Sequence, residues 1–130
     1  MNPVVHFEIP FDDEQRARAF YENAFGWNIS DWPIEDGTNY IGVMTGEVDE
    51  NNQHIEKNVI GGGMVPRSLI EVPVLVLKCE DIESDAKKAV EAGAQRVKEV
   101  TYPSVGTAIY LKDTEGNLVA LWQSVQKSTG

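Results

Sequence analysis

The sequence predicts an α+β domain spanning residues 1–130, built from two tandem βαβββ units. Two observations carry this prediction. Each half opens on a strand-like stretch, "VVHFEIP" at 4–10 and "VPVLVLKCE" at 72–80, followed by an amphipathic helical stretch that ends in glycine. The spacing then repeats: His6 to Val74 is 68 positions and Gly26 to Gly93 is 67, about half of the 130 residues. Neither unit alone could bury both faces of a small sheet, so each needs the other or a second chain.

In the first unit (about 1–66), residues 4–9 alternate, with Val5, Phe7 and Ile9 on one face and Val4, His6 and Glu8 on the other. In "DDEQRARAFYENAFGW", Ala17, Phe20, Tyr21, Ala24 and Phe25 form the stripe of a helix packed on one side. Asp12 is the expected N-cap, with Gln15 completing a capping box, and Gly26 is the stop. Strands are expected near 27–32, 39–45 and 58–65, with Gly37 in the first turn and "GEVDENNQHIEK" as a longer loop. The second unit (about 70–125) repeats the order. Its helix has Ile82, Ala86, Ala89, Val90 and Gly93 on one stripe, and its later strands fit near 95–101, 106–112 and 117–124. The turn "DTEGN" joins the last two as a hairpin.

Composition narrows the function classes. Net charge is −10, and the imbalance lies in the first half. Residues 1–56 hold two basic and twelve acidic residues, whereas residues 57–130 hold nine of each. A field of that sign repels phosphate backbones and disfavours nucleic acid, while tolerating or attracting a cation. The commoner meaning of such a surface is solubility. No apolar run approaches the roughly 18 residues of a membrane span, so no membrane partner is expected. The opening residues lack a signal-peptide pattern, and the one cysteine, Cys79, can form no intrachain disulfide. A cytoplasmic location is the expectation.

Known catalytic patterns are scarce. There is no G-x-S-x-G elbow, and "GGGM" at 61–64 is neither a dinucleotide fingerprint nor a P-loop. Those glycines are expected to let the backbone approach closely and to clear space on an inner strand. Cys79 stands beside Glu80 and Asp81, acids that would raise a thiol pKa, so a structural cysteine is expected. His54, in the polar loop, is expected to be solvated.

The stretches "VVHFEIPFDDEQRARAFYENAFGW", "KCEDIESDAKKAVEAGA" and "YLKDTEGNLVALWQ" together resemble the vicinal oxygen chelate superfamily. That group includes glyoxalase I, the bleomycin and fosfomycin resistance proteins and the extradiol dioxygenases. Thr114 stands where the family's Asp-Pro-x-Gly-Asn hairpin has proline. The resemblance implies a mixed sheet curled around a cavity, often in a homodimer. It also implies metal ligands from the first and last strands of each unit in the metal-dependent members. Carried onto this sequence, those positions read His6, Gly61, Val74 and Ala120. Only His6 can ligate, and tight sites need three or four protein ligands, so no cofactor is expected. A divalent metal would require Glu8, Glu56 or Glu71 to reach inward beside His6.

The inward set then becomes apolar and aromatic. Alternation places Leu118, Ala120, Trp122, Val72, Val74 and Val76 on the His6 side, with Tyr110 joining them. The outer strands of the first unit carry Trp27, Trp32 and Tyr40 at an entrance. Candidate ligand-binding residues are thus His6, Trp27, Tyr40, Tyr110, Ala120 and Trp122, with His6 and Glu8 as the catalytic candidates. Gln123 is a further polar candidate. Taken singly, each of these aromatic residues could equally close a core. Three functions remain open: a small-molecule binder with a degenerate metal site, a metal-dependent lyase, isomerase or dioxygenase, or a protein that sequesters a cationic bleomycin-type drug.

Overall fold

A computed structural model describes residues 1–125. The chain order is β1 (Val4–Phe11), α1 (Glu14–Phe25), β2 (Asn28–Pro33), β3 (Asn39–Met44), β4 (Gly61–Pro66), β5 (Val74–Lys78), α2 (Ile82–Glu91), β6 (Gln95–Tyr102), β7 (Gly106–Lys112) and β8 (Leu118–Ser124). All eight strands share one sheet in the order β2-β3-β4-β1-β5-β8-β7-β6. Each half contributes four adjacent strands, with a parallel pair at its inner end: β1 with β4, and β5 with β8. The antiparallel pairing of β1 with β5 joins the halves, so the two βαβββ units complete each other within one chain. The sheet curls, and its inner face surrounds a cavity.

Three buried clusters follow from alternation. Val65, Val74, Val76, Ala108, Tyr110 and Ala120 fill part of the inner face. On the outer face, α1 covers Ile29, Ile41, Val43 and Met64. There too, Ile82 and Ala86 of α2 pack on Ile109, Leu111 and Leu121. A strand buried on both faces reads as a continuous apolar run, which is why "AIYLK" in β7 shows no clean alternation.

Several local expectations change. The N-cap of α1 is Asp13, whose Oδ1 accepts from the Arg16 amide at 3.0 Å, not Asp12. Asp12 instead pairs with Arg67 Nε at 2.9 Å, a tertiary contact that no capping pattern encodes. The stripe of α1 is narrower than its apolar pattern. Ala17 and Tyr21 pack on the sheet, whereas Phe20, Ala24 and Phe25 are exposed. Phe20 and Phe25 lie edge-on to each other at 5.8 Å, so part of their apolar surface is shared between them. In α2, Val90 is exposed and Gly93 lies beyond the helix at φ +117°, off the stripe, because Ala92 already caps the end. The fourth and fifth strands start later than expected, leaving Asn58–Ile60 and Val72 outside them, with Val72 exposed.

Candidate functional site

The inner face presents one row across the middle of the sheet. His6 is opposite Gly61 on β4 and opposite Val76 on β5, and Val76 is opposite Ala120 on β8. In the second unit Val74 keeps the place of His6, since each stands seven residues before the N-cap of the following helix, Asp81 and Asp13. Val74 is opposite Glu8. Among His6, Gly61, Val74 and Ala120, as along the row itself, only His6 carries a side chain able to ligate. Glu56 and Glu71 are exposed and do not join it. Among the described residues no group of three His, Cys, Asp or Glu converges as a metal cage would require.

A cavity of about 310 Å³ opens over this row. His6, Tyr40, Tyr110, Ala120 and Trp122 line it, as do Glu8 and Trp32. Trp27 does not. Its ring stacks on Tyr21 at 4.7 Å and tilts against Phe7 at 5.9 Å, on the helix side of the sheet. The residue follows the glycine that ends α1, so the chain is still returning from the helix when Trp27 is placed. Gln123 is also turned away: its Oε1 accepts from the Ile82 amide at 2.7 Å, at the start of α2. His54 is half-buried rather than solvated, with Nε2 accepting from the Thr45 amide at 3.2 Å.

Glu8 is the centre of the polar structure. It is only 4% exposed, yet both of its oxygens are occupied. Tyr40 donates to Oε2 at 2.9 Å and Tyr110 donates to Oε1. Burial pushes the Glu8 carboxyl pKa up, and the two phenol donors oppose that rise without cancelling it. Burial, and then the Glu8 charge, raise both phenols far above the ordinary tyrosine range, so they stay protonated and act as donors.

His6 Nε2 lies 2.9 Å from the Tyr40 hydroxyl. Tyr40 has a single proton, and Glu8 takes it. The network therefore assigns Nε2 as the protonated nitrogen, donating to the Tyr40 oxygen, and leaves Nδ1 as the ring's acceptor. Burial pulls the His6 pKa down to about 4, which keeps this ring neutral at pH 7.

Glycines set where the rings lie. A methyl group at Gly63 would fall 1.9 Å from the Tyr40 hydroxyl oxygen, and one at Gly42 would fall 2.3 Å from the Trp32 ring. At Gly106 it would lie 2.7 Å from the Trp122 ring. Tyr40, Trp32 and Trp122 thus each rest across a glycine of the neighbouring strand, and Tyr40 reaches Glu8 by passing over Gly63. The sequence expectation that the 61–63 glycines clear space concerned an empty volume. Here the cleared space holds an aromatic ring. The contributions of Tyr102, Ala108, Ile34 and Val105 to the cavity were missed, as was that of Val5, expected on the other face of β1 from His6 but placed at the cavity where β1 is irregular between Val4 and His6. For Tyr102 the signal was present: Lys98, Val100 and Tyr102 alternate in phase on β6.

At the mouth, Ser104 donates to the Glu35 carboxylate, tying the β6–β7 turn to the β2–β3 turn. The two outermost strands are thereby linked across the cavity.

Cys79 stands apart from this site. It is 4% exposed, and burial first, then its hydrogen bond with Asp85, push the thiol pKa up to about 12. Native Cys79 should react with iodoacetamide at pH 8 on the order of a thousandfold more slowly than a free thiol. Labelling followed by mass spectrometry measures this, and labelling at the free-thiol rate would contradict the burial described.

Comparison with known proteins places this geometry in context. Residues 4–46, covering β1 to β3, match the family model described as bleomycin resistance protein-like N-terminal. No curated protein matches the sequence. Among solved structures, a hypothetical protein from Bacillus halodurans is similar at 11% identity, with 99% of each chain covered and a TM-score of 0.67. Methylmalonyl-CoA epimerase from Mycobacterium tuberculosis is similar at 14% identity, covering 94% of this chain and 87% of that one, with a TM-score of 0.63. A glyoxalase/bleomycin resistance protein/dioxygenase superfamily member from Vibrio splendidus gives 14% identity, 95% and 99% coverage and a TM-score of 0.56. At such identities the likeness establishes the fold.

Proposed function

We propose that this chain, which has the fold of the glyoxalase/bleomycin resistance protein/dioxygenase superfamily, binds a small organic molecule inside its curled sheet at a degenerate metal site. The observation that carries the reading is the cavity itself. A volume of about 310 Å³ lies at the small end of the range that ligand pockets occupy, roughly 300–1,000 Å³. Its walls are aromatic rings and valines, with Glu8, His6 and Tyr110 as the convergent polar groups. In the proposed complex His6 Nδ1 accepts a hydrogen bond from the guest.

The residues present do not fit a resident metal ion. His6 is the one ligating side chain among the four equivalent positions, and both Glu8 oxygens already accept from tyrosines. Recruiting Glu8 would strip two buried phenols of their acceptor, at about 1–3 kcal/mol each. The reading as a metal-dependent lyase, isomerase or dioxygenase is therefore not favoured. Binding without turnover is in keeping with the bleomycin resistance-like match over β1 to β3.

Titration with 1-naphthol, followed by amide chemical shifts, tests the proposal. Saturable shifts are expected around His6, Tyr40 and Trp122. Trp122→Ala should weaken binding about tenfold or more while the domain stays folded. Shifts confined to the helix side of the sheet would overturn the site. Protein supplied with Zn²⁺, Mn²⁺ or Fe²⁺ and then dialysed should retain only traces, and one tightly held equivalent would overturn the degenerate-site reading.

A homodimer is part of the proposal. Phe20 and Phe25 on α1 and Leu75 on the outer face of the sheet are 56%, 62% and 53% exposed, apolar area suited to a second copy. Sedimentation equilibrium would read this directly.

A further inference from the structure

Among the described residues the cavity's carboxylate has no counter-ion, and no Lys or Arg lines the cavity. The groups facing Glu8 are His6 on its own strand, Tyr40 on β3, Tyr110 on β7 and Tyr102 on β6. By register a basic residue, Lys98, is opposite Tyr110 across the β6–β7 pair. Its ammonium is engaged elsewhere, donating to the Leu69 carbonyl at 2.6 Å. Among the described residues no salt bridge reaches Glu8.

Around that carboxylate runs a chain of rings. Trp32 and Tyr40 have centroids 6.0 Å apart, Tyr40 and Tyr102 5.7 Å, and Tyr102 and Trp122 6.1 Å. The tilts are 32°, 74° and 56°, so the rings are not stacked parallel to one another. The face of an aromatic ring carries negative charge density and attracts a cation within about 6 Å. Ring faces turned to the cavity and the carboxylate then act with the same sign between largely apolar walls.

We propose that the cavity receives a small organic cation, a tertiary or quaternary ammonium on an apolar body, whose charge is the counter-ion that Glu8 lacks among the described residues. The inference rests on the reading of the cavity as a ligand site and specifies its guest. Other charge classes fit less well. An anion meets the carboxylate and the ring faces. A small inorganic cation would exchange its water ligands for hydrocarbon walls. A neutral guest leaves the Glu8 charge buried and unpaired, which is costly in a low-dielectric site. The alternative of a protonated Glu8 sits poorly with the geometry, because two phenols already direct their protons at its oxygens. An alkylammonium loses little hydration on entry and gains both the ring faces and the carboxylate.

An isosteric pair of probes tests this: (3-hydroxyphenyl)trimethylammonium and 3-tert-butylphenol, which differ in charge but hardly in shape. Calorimetry on the full chain is expected to show the cation binding about tenfold or more tighter than the phenol. Glu8→Gln should reduce that preference several-fold while 3-tert-butylphenol still binds. Nuclear Overhauser contacts from the trimethylammonium methyls to the Trp122 and Tyr102 rings in the unmodified protein are also expected, and they serve if Glu8→Gln fails to fold. Equal binding of the two probes, or tighter binding of the phenol, would overturn the cation proposal and leave the cavity reading standing. Binding of neither probe would overturn both. A preference that survives intact in folded Glu8→Gln would remove Glu8 as its source and sink the counter-ion argument.

Discussion

Gly63→Ala is expected to destabilise the protein by about 3 kcal/mol and to detach Tyr40 from Glu8. The added methyl would lie 1.9 Å from the Tyr40 hydroxyl oxygen and 2.3 Å from the ring carbon that bears it. Those atoms belong to a phenol whose hydroxyl is held by two hydrogen bonds, so they cannot give way cheaply. The phenol must swing off β4, abandoning its bonds to Glu8 and to His6, each 2.9 Å long. Overpacking of this kind costs about 1–3 kcal/mol, and a buried acceptor left short of a donor adds about 1–3 kcal/mol. The midpoint of urea unfolding, at unchanged slope, measures the loss. A double-mutant cycle assigns it: in a Tyr40→Ala background the same Gly63→Ala change should be nearly neutral. If it is equally damaging there, the contact between ring and glycine is not the cause.

Acid should weaken the fold through His6 before general carboxylate protonation does. The ring's pKa falls from 6.5 to about 4 on folding because burial disfavours its charged form. Between those values the unfolded chain binds a proton that the folded chain refuses. Stability linked to His6 is therefore fully present above pH 6.5 and is lost as pH falls toward 4, by about 3 kcal/mol in total. Glu8 works in the opposite sense. Its folded pKa is raised, so its contribution is present below the ordinary carboxylate value of 4.5 and declines as pH rises through the folded value. Subtracting the stability curve of His6→Gln from that of the unmodified protein isolates the histidine. The difference should shrink by about 3 kcal/mol from pH 6.5 to pH 4, with an imidazole NMR midpoint near 4. Parallel curves and a midpoint near 6.5 would show that His6 is open to water.

Much of the architecture could be read along the chain. Strand alternation, two glycine-terminated helices and a half-chain repeat are local patterns, and they yielded the order of all ten elements. The site was partly legible for the same reason. His6, Glu8, Tyr40, Tyr110, Ala120 and Trp122 lie in phase on strands whose alternation separates the faces of a sheet. Where phase was the only guide and a strand end intervened, the reading failed. Trp27 sits one residue past Gly26, where the chain has left α1 and not yet entered β2.

What the sequence determined by itself is the repeated βαβββ order and the inward phase of His6. These depend on residues near one another in the chain. The tertiary structure decided the rest. Glu8 and Tyr110 are 102 positions apart and Glu8 and Tyr40 are 32 apart, so only sheet order and register bring their oxygens together. The same register lays Tyr40 over Gly63 and places Lys98 at the Leu69 carbonyl, away from Glu8. Hydrogen bonds and charge act over a few ångströms in space, and which groups fall within that range is fixed by strand pairing, which local pattern does not encode.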